Sequence, residues 1–143
     1  MRGVVGVAAV VMISLMMSMM LGQQSPAKKS PKKTSEMVSF KKNVFPIIEK
    51  QCLPCHAEEN FNPSELSLDT YDLFVAGGKH GAPFVPGKSK ESLVVQKLST
   101  EPPFGDRMPL NTKKKISEGK AKWLTEEEIR TFARWIDQGA KDN

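Results

Sequence analysis

Two cysteines and a histidine stand close together near the middle of the chain, in the order Cys52-Leu53-Pro54-Cys55-His56. This C-x-x-C-H spacing is the attachment pattern of haem c. Two thiols three residues apart at a helix end can reach the two vinyl groups on one edge of a porphyrin. The next residue then lies under the ring, where a neutral imidazole is a suitable iron ligand. The pattern predicts one covalently attached haem, with His56 as the proximal ligand.

Other uses of a cysteine pair fit the sequence less well. An exported chain with two cysteines could form a single disulfide, but the histidine directly after Cys55 favours haem. A C-x-x-C pair can also be a redox dithiol or half of a zinc site. The zinc site would need further ligands, and the only other histidine is His80. A thioredoxin-like dithiol would need a βαβ pattern, which the sequence lacks.

A second axial iron ligand can be sought by elimination. Six of the eight methionines precede residue 21, which leaves Met37 and Met108. Met37 stands next to a linker and is expected at the surface or at a helix start. Met108 is followed by a proline, which would stiffen its loop and help to hold the sulfur at the iron. His80, in a glycine-rich loop, is the competitor, and Met108 could instead only fill core space. We predict Met108 as the distal ligand.

Length and charge limit the function classes. The 143 residues suggest one domain. The formal charge of +5 comes wholly from the first 35 residues, because the chain from Glu36 onward carries 16 basic and 16 acidic groups. A nucleic-acid-binding domain would cluster basic residues on its folded part. We therefore expect no nucleic-acid partner.

The N-terminal residues 1–22 are typical of a targeting segment. Arg2 precedes an uncharged, mostly apolar run of 18 residues, Val4 to Leu21. This length is near the lower limit for a membrane span, so a cleaved signal peptide and an uncleaved anchor both remain open. Residues 23–35, rich in Pro, Ser and Lys, predict a disordered linker. The domain at 36–143 is expected in the bacterial periplasm, soluble or tethered to the inner membrane through residues 4–21.

Helical periodicity predicts the elements that position the motif. Ahead of the cysteines, apolar residues recur at helical spacing (Phe40, Val44, Ile47 and Ile48), with Pro46 in the first turn. The segment 57–68 is expected to be a loop. Asp69 is the predicted cap of the next helix, which should end at Gly77 and Gly78. Ser89 is the predicted cap of the following helix, which carries Leu93, Val94 and Leu98.

The C-terminal helix is the clearest element in the sequence. Thr125 and Glu128 form the capping-box pattern at its start. An apolar stripe of Ile129, Phe132, Ala133 and Ile136 follows, with Trp135 beside it and Gly139 as the stop. No strand pattern of useful length is present, so the fold class is all-α. The core would be thin, and a large flat cofactor would supply the missing apolar surface.

These motifs occur in an order that resembles the planctomycete-type c-type cytochrome domain, within the broader class I cytochrome c family. The resemblance covers about residues 39–140. Its matching stretches are Phe40 to Ile48 leading into C-x-x-C-H, Leu66 to Tyr71, Gly77-Gly78, Val85-Pro86-Gly87, Ser92-Leu93-Val94, Arg107-Met108-Pro109 and Trp135 to Ala140. It implies a small, loop-rich helical fold around the haem, with first and last helices crossing and the methionine as distal ligand.

An electron carrier, rather than an enzyme, is the predicted function. His/Met ligation gives a six-coordinate iron with a raised potential and no open position. The alternatives are an enzyme or gas sensor with an open sixth position, and a haem subunit of a larger oxidoreductase. The partners would be redox proteins. Residues 110–124 are longer than the family's usual link, and their lysine-rich part, residues 110–122, is expected to be a solvated loop. Its lysines Lys113, Lys114 and Lys115 could steer acidic partners.

Overall fold

Residues 36–143 are described by a computed structural model, and their regular structure is helical. Within this range the only β pairing is an isolated bridge between Gly78 and Gly81, which confirms the all-α prediction. The elements are a π-helix at Phe40–Val44, α1 at Phe45–Gln51, α2 at Leu53–His56, α3 at Tyr71–Ala76, a 3-10 turn at Ser89–Glu91, α4 at Leu93–Leu98, α5 at Lys113–Ser117 and α6 at Glu126–Asp137.

The predicted targeting segment 1–22 and linker 23–35 lie outside the described residues. In the part of the chain from 36 onward, no helix has both the length and the apolar character that crossing a bilayer requires.

The helical approach to the cysteines is confirmed, although it is divided into three pieces. Ser39 caps its start, since its hydroxyl accepts a hydrogen bond from the backbone N–H of Lys42 at 3.2 Å. Pro46 lies in the first turn of α1, where its missing N–H is not needed. The backbone N–H of Cys52 continues the helical pattern by donating to Ile48 at 2.8 Å. The thiols are therefore attached directly to a helix that reaches the core.

Helix α3 is capped by a different residue from the one predicted. The hydroxyl of Thr70, not the carboxylate of Asp69, accepts a hydrogen bond from the backbone N–H of Leu73 at 3.2 Å. Asp69 instead accepts from the backbone N–H of Glu58 at 2.7 Å, so it fastens the predicted loop 57–68. The helix ends at Gly77, as expected.

Ser89 does not begin a continuous helix as predicted. A 3-10 turn starts there, and α4 begins only at Leu93, after the extended residue Ser92. Ser89 is taken by a tertiary contact: its backbone N–H and its hydroxyl donate to the two carboxylate oxygens of Asp137 at 2.9 and 3.0 Å. This contact fixes the 3-10 turn to the end of α6.

The lysine-rich segment is partly helical, which corrects the expectation of a loop. Thr112 caps α5 by accepting from the backbone N–H of Lys115 at 3.3 Å. All residues from Lys113 to Lys120 are exposed, and Gly119 ends the turn with a φ of +67°. The solvated character was predicted correctly, but the backbone conformation was not.

Helix α6 confirms its predicted start and carries the centre of the core. Thr125 and Glu128 form the complete capping box. Trp135, predicted beside the apolar stripe, is 1 % exposed and lies within the aromatic cluster. Its ring centroid is 5.0 Å from Phe84, 5.3 Å from Phe40 and 6.0 Å from Phe74. Such pairs add to the apolar area that they bury.

The start of the described chain packs against its C-terminal part. The backbone N–H of Val38 donates to the side chain of Gln138 at 2.7 Å, and that of Phe40 donates to the side chain of Asn143 at 2.9 Å. Phe40 also reaches Trp135 on α6. The first and last helical stretches are therefore in direct contact around the aromatic core.

Candidate haem-binding site

The C-x-x-C-H residues lie on one short helical turn at the edge of the core. The backbone N–H groups of Cys55 and His56 donate to the carbonyl oxygen of Cys52 at 3.0 and 2.9 Å. Both thiols are free; Cys52 is half-buried and packs against the core cluster, whereas Cys55 is exposed. One thiol therefore belongs to the core edge and the other faces outward, three residues away.

Burial keeps the inner thiol protonated. Desolvation, with a smaller contribution from Cys55, raises the pKa of Cys52 to about 12. Catalytic dithiols and metal-bound cysteines work as thiolates and usually have lowered pKa values. The environment of Cys52 is thus unlike that of an activated catalytic dithiol.

The imidazole of His56 is oriented by a backbone carbonyl. Its Nδ1 lies 3.0 Å from the carbonyl oxygen of Leu66, and a carbonyl can only accept a hydrogen bond. This contact therefore favours the tautomer with the proton on Nδ1 and the lone pair on Nε2. Histidines that bind metal almost always donate through their other ring nitrogen in this way. The lone pair on Nε2 of the half-buried His56 is thus available to a metal ion.

The Leu66 carbonyl is held in place by a compact turn. Asn62 begins a β-turn in which the backbone N–H of Glu65 donates to its carbonyl oxygen at 3.0 Å. Glu65 has a φ of +56°. The chain then reverses, and the backbone N–H of Leu68 donates to the backbone carbonyl oxygen of His56 at 2.9 Å. This pairing brings Leu66 alongside the haem-motif helix.

Glycine at position 78 lets a second loop press against this turn. A Cβ at Gly78 would lie 2.5 Å from the carbonyl oxygen of Ser64 and 2.8 Å from the backbone nitrogen of Leu66. Real Cβ atoms do not approach backbone so closely. The backbone N–H of Lys79 also donates to Ser64 at 2.8 Å. The Gly77-Gly78 pair therefore supports the turn that orients His56.

Met108 is positioned by the end of helix α4. Its backbone N–H donates to the carbonyl oxygen of Lys97 at 2.8 Å, and the Arg107 side chain donates to that of Leu98 at 2.9 Å. The Lys97 ammonium, whose pKa burial lowers, donates to the carbonyl oxygens of Phe104 and Asp106. The Met108 side chain is half-buried and packs against the same core cluster as Cys52. The loop that carries the predicted distal ligand is thus tightly fastened.

The two competing ligand candidates lie on the surface. His80 is exposed, and its ring packs on Phe104 with a centroid distance of 4.4 Å. Met37 is 57 % exposed, as expected for a residue ahead of the first helix. Of the three candidates, Met108 alone packs against the core.

Residues 52–109 match the family model described as Planctomycete cytochrome C. The predicted family resemblance is confirmed. This cytochrome c match begins at Cys52 and ends at Pro109, so it includes the haem motif and Met108 but not helix α6. No curated protein and no solved structure is significantly similar to the chain. The family implies haem c as the cofactor.

The residues present fit this cofactor. A free thiol pair, an imidazole oriented through Nδ1 and a half-buried methionine thioether form a donor set of the kind that holds haem c. Sequence reasoning missed the groups that orient His56, namely Asn62, the backbone of Ser64, the Leu66 carbonyl and Gly78. The Asn62-Pro63 dipeptide, a common start of a type I turn, was the available signal for them.

Proposed function

We propose that this cytochrome c domain transfers single electrons through one haem c, attached by Cys52 and Cys55 and ligated by His56 and Met108. The observation that carries the proposal is the 3.0 Å contact between Nδ1 of His56 and the Leu66 carbonyl. It prepares Nε2 for iron on the residue that directly follows the two thiols. The bound haem would supply the one-electron redox couple.

The chain itself would supply attachment, orientation and ligand strength. Cys52 and Cys55 would each add a thiol across a vinyl group, a step in which the S–H proton moves to carbon and no oxidant is required. The carbonyl of Leu66 would keep the proton of His56 on Nδ1. A thioether from Met108 as the sixth ligand would raise the reduction potential and leave no open position for a substrate.

Export to the periplasm and redox-protein partners belong to the same proposal. Cytochrome c domains are usually exported, and the uncharged run from Val4 to Leu21 would direct this export as a cleaved signal or as an uncleaved membrane tether. Residues 36–143 carry equal numbers of acidic and basic groups. Partner recognition would therefore depend on local charge, such as the exposed lysines of α5.

The proposal is tested by removing the attachment residues. Cys52→Ala and Cys55→Ala should each lose one thioether link, and the double variant should lose covalent haem completely. Haem staining of denaturing gels, after expression with a haem-attachment system, provides the measurement. Ser64→Ala, in the neighbouring turn, serves as the control and should stain like the wild type. Haem that still migrates with the double variant would refute the assignment.

A further inference from the structure

We propose that Asn62 tunes the iron ligand His56 by competing with it for the carbonyl oxygen of Leu66. The inference rests on the proposed haem site. The Leu66 oxygen lies 3.0 Å from Nδ1 of His56 and 2.6 Å from Nδ2 of Asn62. The two nitrogens are themselves 3.3 Å apart. Two side chains therefore converge on one backbone acceptor.

The orientation of the Asn62 amide follows from its other contacts. The second amide atom, Oδ1, lies 3.1 Å from the backbone nitrogen of Ser64 and 2.6 Å from its hydroxyl oxygen. A backbone N–H can only donate, so the atom that it faces is the amide oxygen. The amide nitrogen must then point toward Leu66, where it donates to the carbonyl oxygen.

Iron ligation would turn this arrangement into a competition. With Nε2 bound to iron, the ring proton of His56 is on Nδ1, and Nδ1 is a donor. The neighbouring amide nitrogen of Asn62 is also a donor, so neither nitrogen can accept from the other. Both depend on the Leu66 oxygen, and the amide makes the shorter of the two contacts. A carbonyl oxygen can accept two hydrogen bonds, but each is weaker when the oxygen is shared, so the hydrogen bond from His56 is weaker than it would be with a carbonyl of its own.

A weaker hydrogen bond at Nδ1 makes the imidazole a weaker electron donor to iron. Outer partners of a ligating histidine raise its basicity, and a more basic ligand stabilises the ferric state more than the ferrous state. Asn62 would therefore raise the reduction potential of the haem. Asn62 is a positioning residue in this scheme, because it acts on the iron only through His56.

The experiment compares Asn62→Ala with Ser64→Ala in the haem-loaded full chain. Ser64→Ala removes the hydroxyl contact to Asn62 and loosens the same turn, but it leaves the amide donor to Leu66 in place. We expect Asn62→Ala to decrease the equilibrium constant for haem reduction about threefold. This corresponds to a midpoint potential about 28 mV lower, because a tenfold change in that constant equals about 59 mV for a one-electron couple. Ser64→Ala should leave the potential nearly unchanged.

A second measurement distinguishes an effect on the His56 hydrogen bond from a general loosening of the turn. In the reduced protein, the Nδ1–H proton resonance of His56 should move downfield in Asn62→Ala, because its hydrogen bond becomes stronger. Asn62→Asp keeps an oxygen for the Ser64 N–H but replaces the donor to Leu66 by an acceptor. This variant should lower the potential further, in part through its negative charge, so the His56 resonance rather than the potential decides the question if Asn62→Ala does not fold.

Each result has a distinct meaning. Equal potentials in the wild type and in the Asn62 variants, with haem attached in all of them, would overturn the tuning role while the proposed function stands. Equal shifts in Asn62→Ala and Ser64→Ala, with an unmoved His56 resonance, would reduce Asn62 to a structural residue and also overturn it. A wild-type chain without covalent haem would instead refute the proposed function, before any variant is compared.

Discussion

The aromatic core around Trp135 and the segment around His56 are built on different principles. Trp135 and Phe74 are at most 1 % exposed and contact other rings through apolar surface. Around His56, most side chains are exposed or half-buried, and backbone carbonyls such as that of Leu66 hold the ligand-bearing groups in place. The difference indicates that packing fixes the fold, whereas hydrogen bonds to the backbone fix the site.

Removing the central ring should have the largest effect on the first region. Trp135→Ala deletes a fully buried indole that contacts Phe40, Phe74 and Phe84. We expect a loss of about 3–5 kcal/mol in the free energy of unfolding, measured by urea denaturation followed by circular dichroism.

The matched control is Phe61→Ala, at a ring that is 94 % exposed in the loop after the haem motif. Its unfolding free energy should stay within about 0.5 kcal/mol of the wild type. If the two substitutions cost the same, the distinction between a packed core and a hydrogen-bonded site region is wrong.

The second region can be tested at the distal ligand. Met108→Ala should open the sixth coordination position, so the reduced protein should bind carbon monoxide and the oxidised protein should lose its weak long-wavelength methionine–iron band. His80→Ala should change neither spectrum, because His80 is exposed and packs on Phe104. Gas binding by the His80 variant alone would show that His80, not Met108, is the distal ligand.

The two thiols offer a sharper comparison within a single helical turn. In protein produced without haem attachment, Cys55 is exposed, whereas burial raises the pKa of Cys52 to about 12. Alkylation at pH 8 should therefore modify Cys52 at least about tenfold more slowly than Cys55, because the thiolate is the reactive form. Mass spectrometry of peptides from timed samples gives both rates.

Raising the pH should accelerate alkylation of Cys52 up to about pH 12, where half of this buried thiol would be ionised. Denaturation should remove the difference between the two cysteines. Equal rates in the native protein would mean that Cys52 is not part of the core edge.

The smallest expected effect concerns α5, which belongs to neither region. Lys113, Lys114 and Lys115 are exposed on a helix whose Ile116 is also half-exposed. Changing the three lysines to glutamine should slow electron exchange with an acidic redox partner severalfold at low salt, since local charge mainly raises the association rate. Stopped-flow rates at increasing ionic strength measure this effect.

Salt provides the control for the charge effect. The rates of the wild type and the triple variant should converge at physiological salt, where the Debye length is about 8 Å. An unchanged rate and an unchanged dependence on ionic strength would show that α5 has no steering role.

Local patterns predicted the parts of the fold that depend on neighbours in sequence. The capping box at Thr125 and the helix leading to Cys52 needed only a few consecutive residues. The cap of α3 was assigned one residue too early because Asp69 and Thr70 are both good caps, and the choice depends on the distant N–H of Glu58. Trp135 became central because its partner rings come from remote segments.

Only the side chains of the candidate site could be predicted from the sequence. The C-x-x-C-H motif and Met108 are visible in the sequence, and their haem roles stay predictions. The role of the Leu66 carbonyl does not depend on its side chain, so no residue type indicates it. Glycine is required at position 78 only because the backbone of a neighbouring turn lies so close to it. Backbone groups brought together by turns are invisible to a pattern of residue types.

The contacts between the two ends of the described chain also affect how it folds. Val38 and Gln138 are 100 residues apart in sequence, so joining them in an otherwise open chain would cost about 4 kcal/mol of loop-closure entropy. The haem motif and its Leu66 partner, by contrast, are separated by only ten residues. The turn around His56 therefore closes a shorter loop, at a lower entropic cost, than the cluster at Trp135, which requires α6 to return to Phe40. A fragment lacking α6 would keep the sequence of the haem-attachment segment but lose the ring at the centre of the core.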